Sequence, residues 1–240
     1  MASRSRVVLL SRRPILSEIR VTKDGPYLVE GELPIAKATI GANTEGESMR
    51  WEWGKPLPAK KNPALCRCGQ SGRKPYCDGT HAKIGFDGTE TASRKPYAEQ
   101  AKLIEGPVLS LADAEGLCAF ARFCDPNGQV WRLVSETDKA KARDDFVRQT
   151  CDCPSGRLVA LDNETGKPFE PKLPQSIGLV EDPVEDCSGP LWVRGGVAVI
   201  AEDGYRYEVR NRITLCRCGA SKNKPFCDGS HAAIKFKDGL

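Results

Sequence analysis

Residues 65–81 and 215–231 are two copies of one segment, LCRCGQSGRKPYCDGTH and LCRCGASKNKPFCDGSH, identical at 12 of 17 positions. Both space three cysteines and a histidine as C-x-C-x8-C-x3-H, and together they hold the only histidines of the chain, His81 and His231. A repeat of this length implies two units of like fold. No other feature constrains the chain as strongly, because each unit must gather four particular side chains within one loop.

Three thiols and an imidazole in a loop are a ligand set for a soft or borderline metal. Structural zinc sites usually grip their ion with C-x2-4-C knuckles. Here the first pair is C-x-C, and the third cysteine is followed by a histidine one helical turn later. Two such pairs suit a two-iron cluster, with two thiolates on one iron and Cys plus His on the other. Iron–sulfur centres with nitrogen ligands have raised potentials. Spacing alone leaves zinc open as the alternative.

The residues between the ligands narrow the choice. Each copy reads C-x-C-x2-S-x2-K-P-[YF]-C-D-G-[ST]-H, which resembles the CDGSH iron–sulfur family, with Thr80 in the first copy at the serine position. The resemblance implies a [2Fe-2S] cluster held in an irregular loop that leads into a short helix. Its ligands would be Cys66, Cys68, Cys77 and His81 in one copy, and Cys216, Cys218, Cys227 and His231 in the other.

The intervening residues fit a ligand loop. Pro75 and Pro225 stiffen the approach to the third cysteine. Gly79 and Gly229 allow backbone close to the metal. Asp78 and Asp228 can accept bonds from free N–H groups at the next helical turn. Arg67, Arg73, Lys74, Arg217, Lys222 and Lys224 read either as solvated surface cations or as charge compensation and a docking surface for a partner.

The copies share a lead-in as well. GPYLVEG (25–31) and GPLWVRG (189–195) correspond, and strands are expected at 27–30, 35–40, 49–53, 191–195, 197–200 and 205–210. Members of the CDGSH family commonly pair about a two-fold axis. Two copies in one chain therefore imply an intramolecular pseudo-dimer whose strands share one sheet. The expected fold class is α+β: two small β-rich modules with a ferredoxin-like α/β segment between them. The boundaries read as 1–23 (tail or first strand), 24–100 (first module), 101–186 (middle segment) and 187–240 (second module).

In the middle segment, Ser110–Asp113 has a capping-box form, and apolar residues at helical spacing run on to Phe123. Thr137 reads as the cap of a second helix through Thr150, with Ala140, Phe146 and Val147 inward. Arg157–Leu161 reads as a strand, and the four prolines of 166–186 suggest an extended surface stretch. Cys118, Cys124 and Cys153 stand in a C-x5-C…C-P arrangement. This resembles the ligand run of ferredoxins with Ala121 at the central cysteine, and Cys153-Pro154-Ser155-Gly156 resembles a divergent group with one cluster. The implied third cofactor is a [3Fe-4S] or [4Fe-4S] cluster. The other reading is that these thiols pack as small hydrophobes. Cys187 reads as structural, and Cys151 stays unassigned.

Composition excludes several function classes. A net charge of +4 and the absence of an aromatic-interleaved basic stripe give no case for nucleic acid. No apolar run approaches a membrane span. Eleven cysteines, an odd number clustered at ligand spacing, point to a reducing compartment, and the cytoplasm is expected. The Arg- and Ser-rich N-terminus reads as a first strand or flexible segment, with a transit peptide as the alternative. No nucleophile, acid–base pair or phosphate loop stands outside the ligand sets, so no enzyme activity is expected. The expectation is an electron-transfer protein serving an unidentified redox partner. A cluster sensor or donor, and a structural zinc module, are the alternatives.

Overall fold

The computed structural model describes residues 17–240. The transit-peptide reading falls outside them. Among the described residues twelve strands form three sheets, accompanied by a few helices. The first sheet contains β1 (Glu18–Val21), β2 (Tyr27–Glu30), β5 (Ala64–Leu65) and β11 (Ala198–Ile200), in the order β11-β1-β2-β5. The second contains β3 (Ile35–Ala42), β4 (Ser48–Pro56), β9 (Ser176–Asp182), β10 (Cys187–Arg194) and β12 (Arg212–Leu215), in the order β12-β10-β9-β3-β4. The third contains β6 (Lys102–Ile104), β7 (Leu109–Asp113) and β8 (Leu158–Asp162) as an antiparallel meander.

Equivalent residues of the two repeats occupy equivalent registers. Tyr27 faces Leu65 between β2 and β5, and Leu191 faces Leu215 between β10 and β12. Ile19 of β1 faces Val29, as Ile177 of β9 faces Val193. Each sheet then takes a parallel strand from the other repeat: Ile19 faces Val199 of β11, and Ile177 faces Ile35 of β3. The inner faces of both sheets share one core, with Ile19, Tyr27, Leu65, Ile177, Leu191 and Leu215 fully buried. Truncating Leu65 or Leu215 to alanine would cost about 2–5 kcal/mol, as for other large core residues.

β9 corrects the expected surface stretch over 166–186. It lies in a proline-free gap between Pro174 and Pro183, and its residues are nearly all buried. A central strand must donate every N–H to its neighbours, so the prolines bound it rather than abolish it. The expected strand at 205–210 is also absent; only Arg206 bridges to Ile200, and Tyr205 and Tyr207 pack edge to face instead.

The middle segment has its own core, in which Leu109, Leu111, Leu133, Phe146 and Leu158 are buried under α4 (Ala140–Asp152). Ser110–Asp113 caps no helix. It is the interior of β7, because its apolar residues are buried between β6 and β8. Thr137 does not cap α4 either. It is buried, and its hydroxyl accepts from the N–H groups of Val108 and Leu109 at 3.2 and 3.3 Å. Ala142 rather than the exposed Ala140 lies on the inner face of α4 beside Phe146.

Candidate metal centres

The two ligand loops are built alike. Each begins at the end of a sheet strand, β5 or β12, and is bridged back to it at Leu65–Tyr76 and Leu215–Phe226. Cys66 N–H donates to Pro75 O at 2.8 Å, and Cys216 N–H to Pro225 O at 2.9 Å. Asp78 and Asp228 perform the expected capping. Asp78 accepts from the N–H groups of Thr80 (3.0 Å) and Gly72 (2.8 Å), and Asp228 from those of Ser230 (3.0 Å) and Lys222 (2.8 Å). Hydrogen bonds from Thr80 and Gly72 hold the Asp78 carboxyl below its usual range. Burial pushes Asp228 upward, but its bonds to Ser230 and Lys222 outweigh that and hold it low. Gly79 and Gly229 take φ of 87° and 86°, the left-handed region that favours glycine, and open the short helices Thr80–Lys83 (α1) and Ser230–Ala233 (α5).

This scaffold sorts the expected ligands into pairs. The sulfurs of Cys66 and Cys68 are 3.8 Å apart, and those of Cys216 and Cys218 are 3.7 Å apart. Cys77 Sγ lies 3.3 Å from His81 Nδ1, and Cys227 Sγ lies 3.4 Å from His231 Nδ1. Two sulfurs at about 2.3 Å from one tetrahedral metal stand about 3.8 Å apart, so each thiol pair has the spacing of one metal atom. Among the described residues no three Cys, His, Asp or Glu side chains converge on the position of a single ion. Each set thus presents its four side chains as two close pairs. Gly79 N–H and Gly229 N–H point to the third sulfur of their sets at 3.4 Å, where each would stabilise a thiolate.

The loops also touch each other. A Cβ on Gly69 would stand 2.4 Å from Cys218 O, and one on Gly219 would stand 2.6 Å from Cys68 O, so neither position admits a side chain. The buried Tyr27 hydroxyl of the first repeat lies 2.8 Å from Cys216 O and 3.0 Å from Pro225 O, tying the first sheet to the second loop.

Arg67 and Arg217 are not solvated cations; both are buried. Arg67 donates to Thr22 O at 2.8 Å and to Gly88 O. Arg217 donates to Gly189 O (2.7 Å) and Val180 O (2.8 Å) and pairs with Glu181 and Asp238. Cys227 and His231 are also buried, whereas Cys77 and His81 are part-exposed. Burial, with the Arg217 charge beside it, pulls His231 down to about 4. Burial and the Cys216 charge push the Cys227 thiol up. Within the second C-x-C pair, the shared hydrogen bond holds Cys216 below and Cys218 above the ordinary thiol range.

Residues 25–31 and 189–195 lead into loops of one geometry, and sequence comparison agrees. Residues 24–82 and 188–232 both match the family described as iron-binding zinc finger CDGSH type. These two regions, similar to that family, are called the first and second CDGSH regions below. Both are small and β-rich, in keeping with an α+β fold, and the family they match is described as iron-binding. No curated protein and no solved structure matches the chain.

Cys118, Cys124 and Cys153 line one small cavity together with Phe120, Ser155 and Arg157. Cys118 and Cys124 flank an irregular loop and not the expected helix. Phe120 and Arg122 in it have φ of 53° and 60°. The loop rests on the second CDGSH region: a Cβ on Gly229 would stand 3.2 Å from Phe120 Cβ and 3.6 Å from Cys118 O. Burial, then the Asp125 and Cys153 charges, push the Cys124 thiol up. Cys187 is buried, and Cys151 lies 3.7 Å from Phe169 O, apart from that cavity.

Arg210 and Arg212 escaped the sequence reading. Arg212 is buried and donates to the carbonyls of Thr150, Cys151 and Cys153 at 2.6, 2.8 and 2.9 Å, the last turn of α4. A cation there satisfies orphan carbonyls and opposes the helix dipole. Arg210 donates to Ser155 O and Gly156 O. The second CDGSH region thus fixes the Cys153 loop, a contact across some sixty residues that leaves no local pattern.

Proposed function

We propose that the chain is an iron–sulfur electron carrier. Its first two centres would be [2Fe-2S] clusters, on Cys66, Cys68, Cys77 and His81 and on Cys216, Cys218, Cys227 and His231. The observation that carries this reading is the pairing of ligands at single-metal spacing twice within each loop, which suits two irons and fits one zinc ion poorly. Such a centre supplies one-electron redox chemistry, and the chain sets its potential through the imidazole ligand, N–H bonds to sulfur and burial. The third set, Cys118, Cys124 and Cys153, would hold a [3Fe-4S] or [4Fe-4S] cluster in a ferredoxin-like segment. The parallel strands that each repeat lends to the other's sheet favour an intramolecular pseudo-dimer.

The chain would act on no substrate of its own and would exchange electrons with a protein partner, in the cytoplasm. Among the described residues no helix is long and apolar enough to cross a membrane. Anaerobic purification with iron, zinc and acid-labile sulfide counts, and EPR of oxidised and reduced samples, tests the reading. Iron with equimolar sulfide, signals on reduction and a further signal on oxidation are expected. Zinc without sulfide after anaerobic reconstitution would overturn it, and iron sufficient for only two [2Fe-2S] centres would return Cys118, Cys124 and Cys153 to packing.

A second reading, cluster donor or sensor, is favoured by the exposure of His81 and Cys77. Rapid transfer of iron and sulfide to an apo-acceptor would select it over simple redox cycling.

A further inference from the structure

β10 turns Leu191 and Val193 to the shared core, so Trp192 and Arg194 lie on the outer face of the second sheet. A row of aromatic rings crosses that face toward β4. Phe123 meets Trp51 at 4.7 Å between ring centres, Trp51 meets Trp192 at 4.5 Å, and Trp192 meets Trp53 at 5.5 Å. Phe123 and Ala121 of the middle loop cover Ala38, Ile40 and Val180, but Trp53 at the end of the row is 42% exposed. It reaches inward over Gly178, where a Cβ would stand 3.1 Å from Trp53 Cη2. No positive φ requires that glycine, so its use is to leave room for the indole.

The Arg194 guanidinium closes the row, 4.3 Å from the Trp53 ring centre and 4.8 Å from that of Trp192. Arg212, directly opposite it on β12, is paired with Glu170. Arg194 makes no ion pair among the described residues, and its Nε is buried without an acceptor. Burial alone pulls it below the ordinary arginine range. A half-buried cation that faces a like charge and lacks an anion carries a cost that an incoming carboxylate would offset. An exposed indole on a sheet face offers area rather than enclosure, which suits a protein segment. Tryptophan and arginine are also the side chains that most often anchor such contacts.

We propose that the Trp53–Arg194 corner docks a partner protein through an acidic segment, with a side-chain carboxylate on Arg194 and a neighbouring apolar side chain on Trp53. The row behind it runs back to Phe123, the residue before Cys124, so the partner would sit at the far end of that row from the third cysteine set. The inference does not depend on what any of the sets holds.

Proton–nitrogen correlation spectra of the full chain, titrated with acetyl-Leu-Glu-Leu-Glu-Leu-amide and separately with its glutamine analogue, test it. The Trp53 indole and Arg194 Nε signals should shift saturably with the acidic peptide, which should bind about tenfold tighter than the analogue. Arg194→Gln should reduce the acidic peptide to the level of the analogue, and Trp53→Ala should weaken it about tenfold. Arg50→Gln, on the same strand as Trp53 but outside the row, should leave the affinity within about twofold. The remaining signals of each variant show that it is folded. Absence of a saturable shift, equal affinity for the two peptides, or unchanged affinity in Arg194→Gln would each overturn the proposal. Shifts of the same two signals on raising the protein concentration alone would overturn it in favour of a second copy of the chain.

Discussion

The two CDGSH regions have nearly the same loop and different surroundings. In the first, Arg67 ends on the carbonyl of Gly88, and His81 reaches solvent in an open basin beside Phe86 and Asp87. In the second, Arg217 ends on the Asp238 carboxylate, Phe120 overlies Gly229, and His231 is only 4% exposed. A repeated sequence thus fixes where the ligands stand relative to one another. What surrounds them is set by segments outside the repeat, here the middle loop and the C-terminal tail.

The largest expected effect would break what the regions share. Gly69→Ala and Gly219→Ala each force a Cβ into the opposite loop's backbone at a positive φ, and each should cost about 3 kcal/mol or more in urea unfolding. A neutral result at either would mean that the loops do not meet.

Asp238→Ala tests what they do not share. It leaves Arg217 buried with Glu181 alone, at an expected cost of about 3 kcal/mol in the same measurement. This pair also has a pH signature. Burial raises the Asp238 carboxyl, but Arg217 outweighs that and holds it below the ordinary 3.8. A carboxyl lowered by folding contributes stability that is present above 3.8 and lost as pH falls through its folded value. Acid unfolding of Asp238→Asn should be less steep below that pH than in the parent chain. The first region, with a carbonyl in the same role, has no counterpart.

With metal bound at both sets, exposure should decide lability. A chelator at about pH 5 should take iron from the first set about tenfold faster than from the second, followed by absorbance. Phe120→Gly should bring the two rates within about threefold of each other by uncovering Gly229. His231→Cys, which removes the protonatable ligand, should slow acid loss from the second set and lower its potential. An unchanged decay rate would exclude the imidazole as the acid-sensitive ligand.

The smallest difference concerns the left-handed glycines. Gly79→Ala meets nothing within 4 Å and should cost about 1 kcal/mol for φ alone. Gly229→Ala meets Phe120 as well and should cost about 1 kcal/mol more. Equal losses in thermal unfolding would place Phe120 away from this site in solution.

The ligand loops were readable in advance because their information is local. Asp78, Gly79 and the C-x-C pair act on residues within a few positions, and the identical stretch repeats the result at Asp228 and Gly229. The lead-in strands at 27–30 and 35–40 were readable for the same reason, from apolar runs between turn residues. The middle segment misled where local signals competed. Ser110–Asp113 resembles a helix cap, yet burial on both faces makes it a strand, and Thr137 was claimed by the β7 backbone. β9 was hidden by flanking prolines, although the residues between them can fill a central strand.

By itself the sequence determined the composition of each ligand set and the spacing within it, since a few rotatable bonds separate those side chains. Only the tertiary structure decided that β3 and β11 change sheets, that Gly69 and Gly219 bring the loops together, and that Arg210 and Arg212 hold the Cys153 loop. It also decided that one histidine is buried and its equivalent open. These outcomes depend on contacts between residues far apart in the chain, whose free energy no window of neighbouring residues contains.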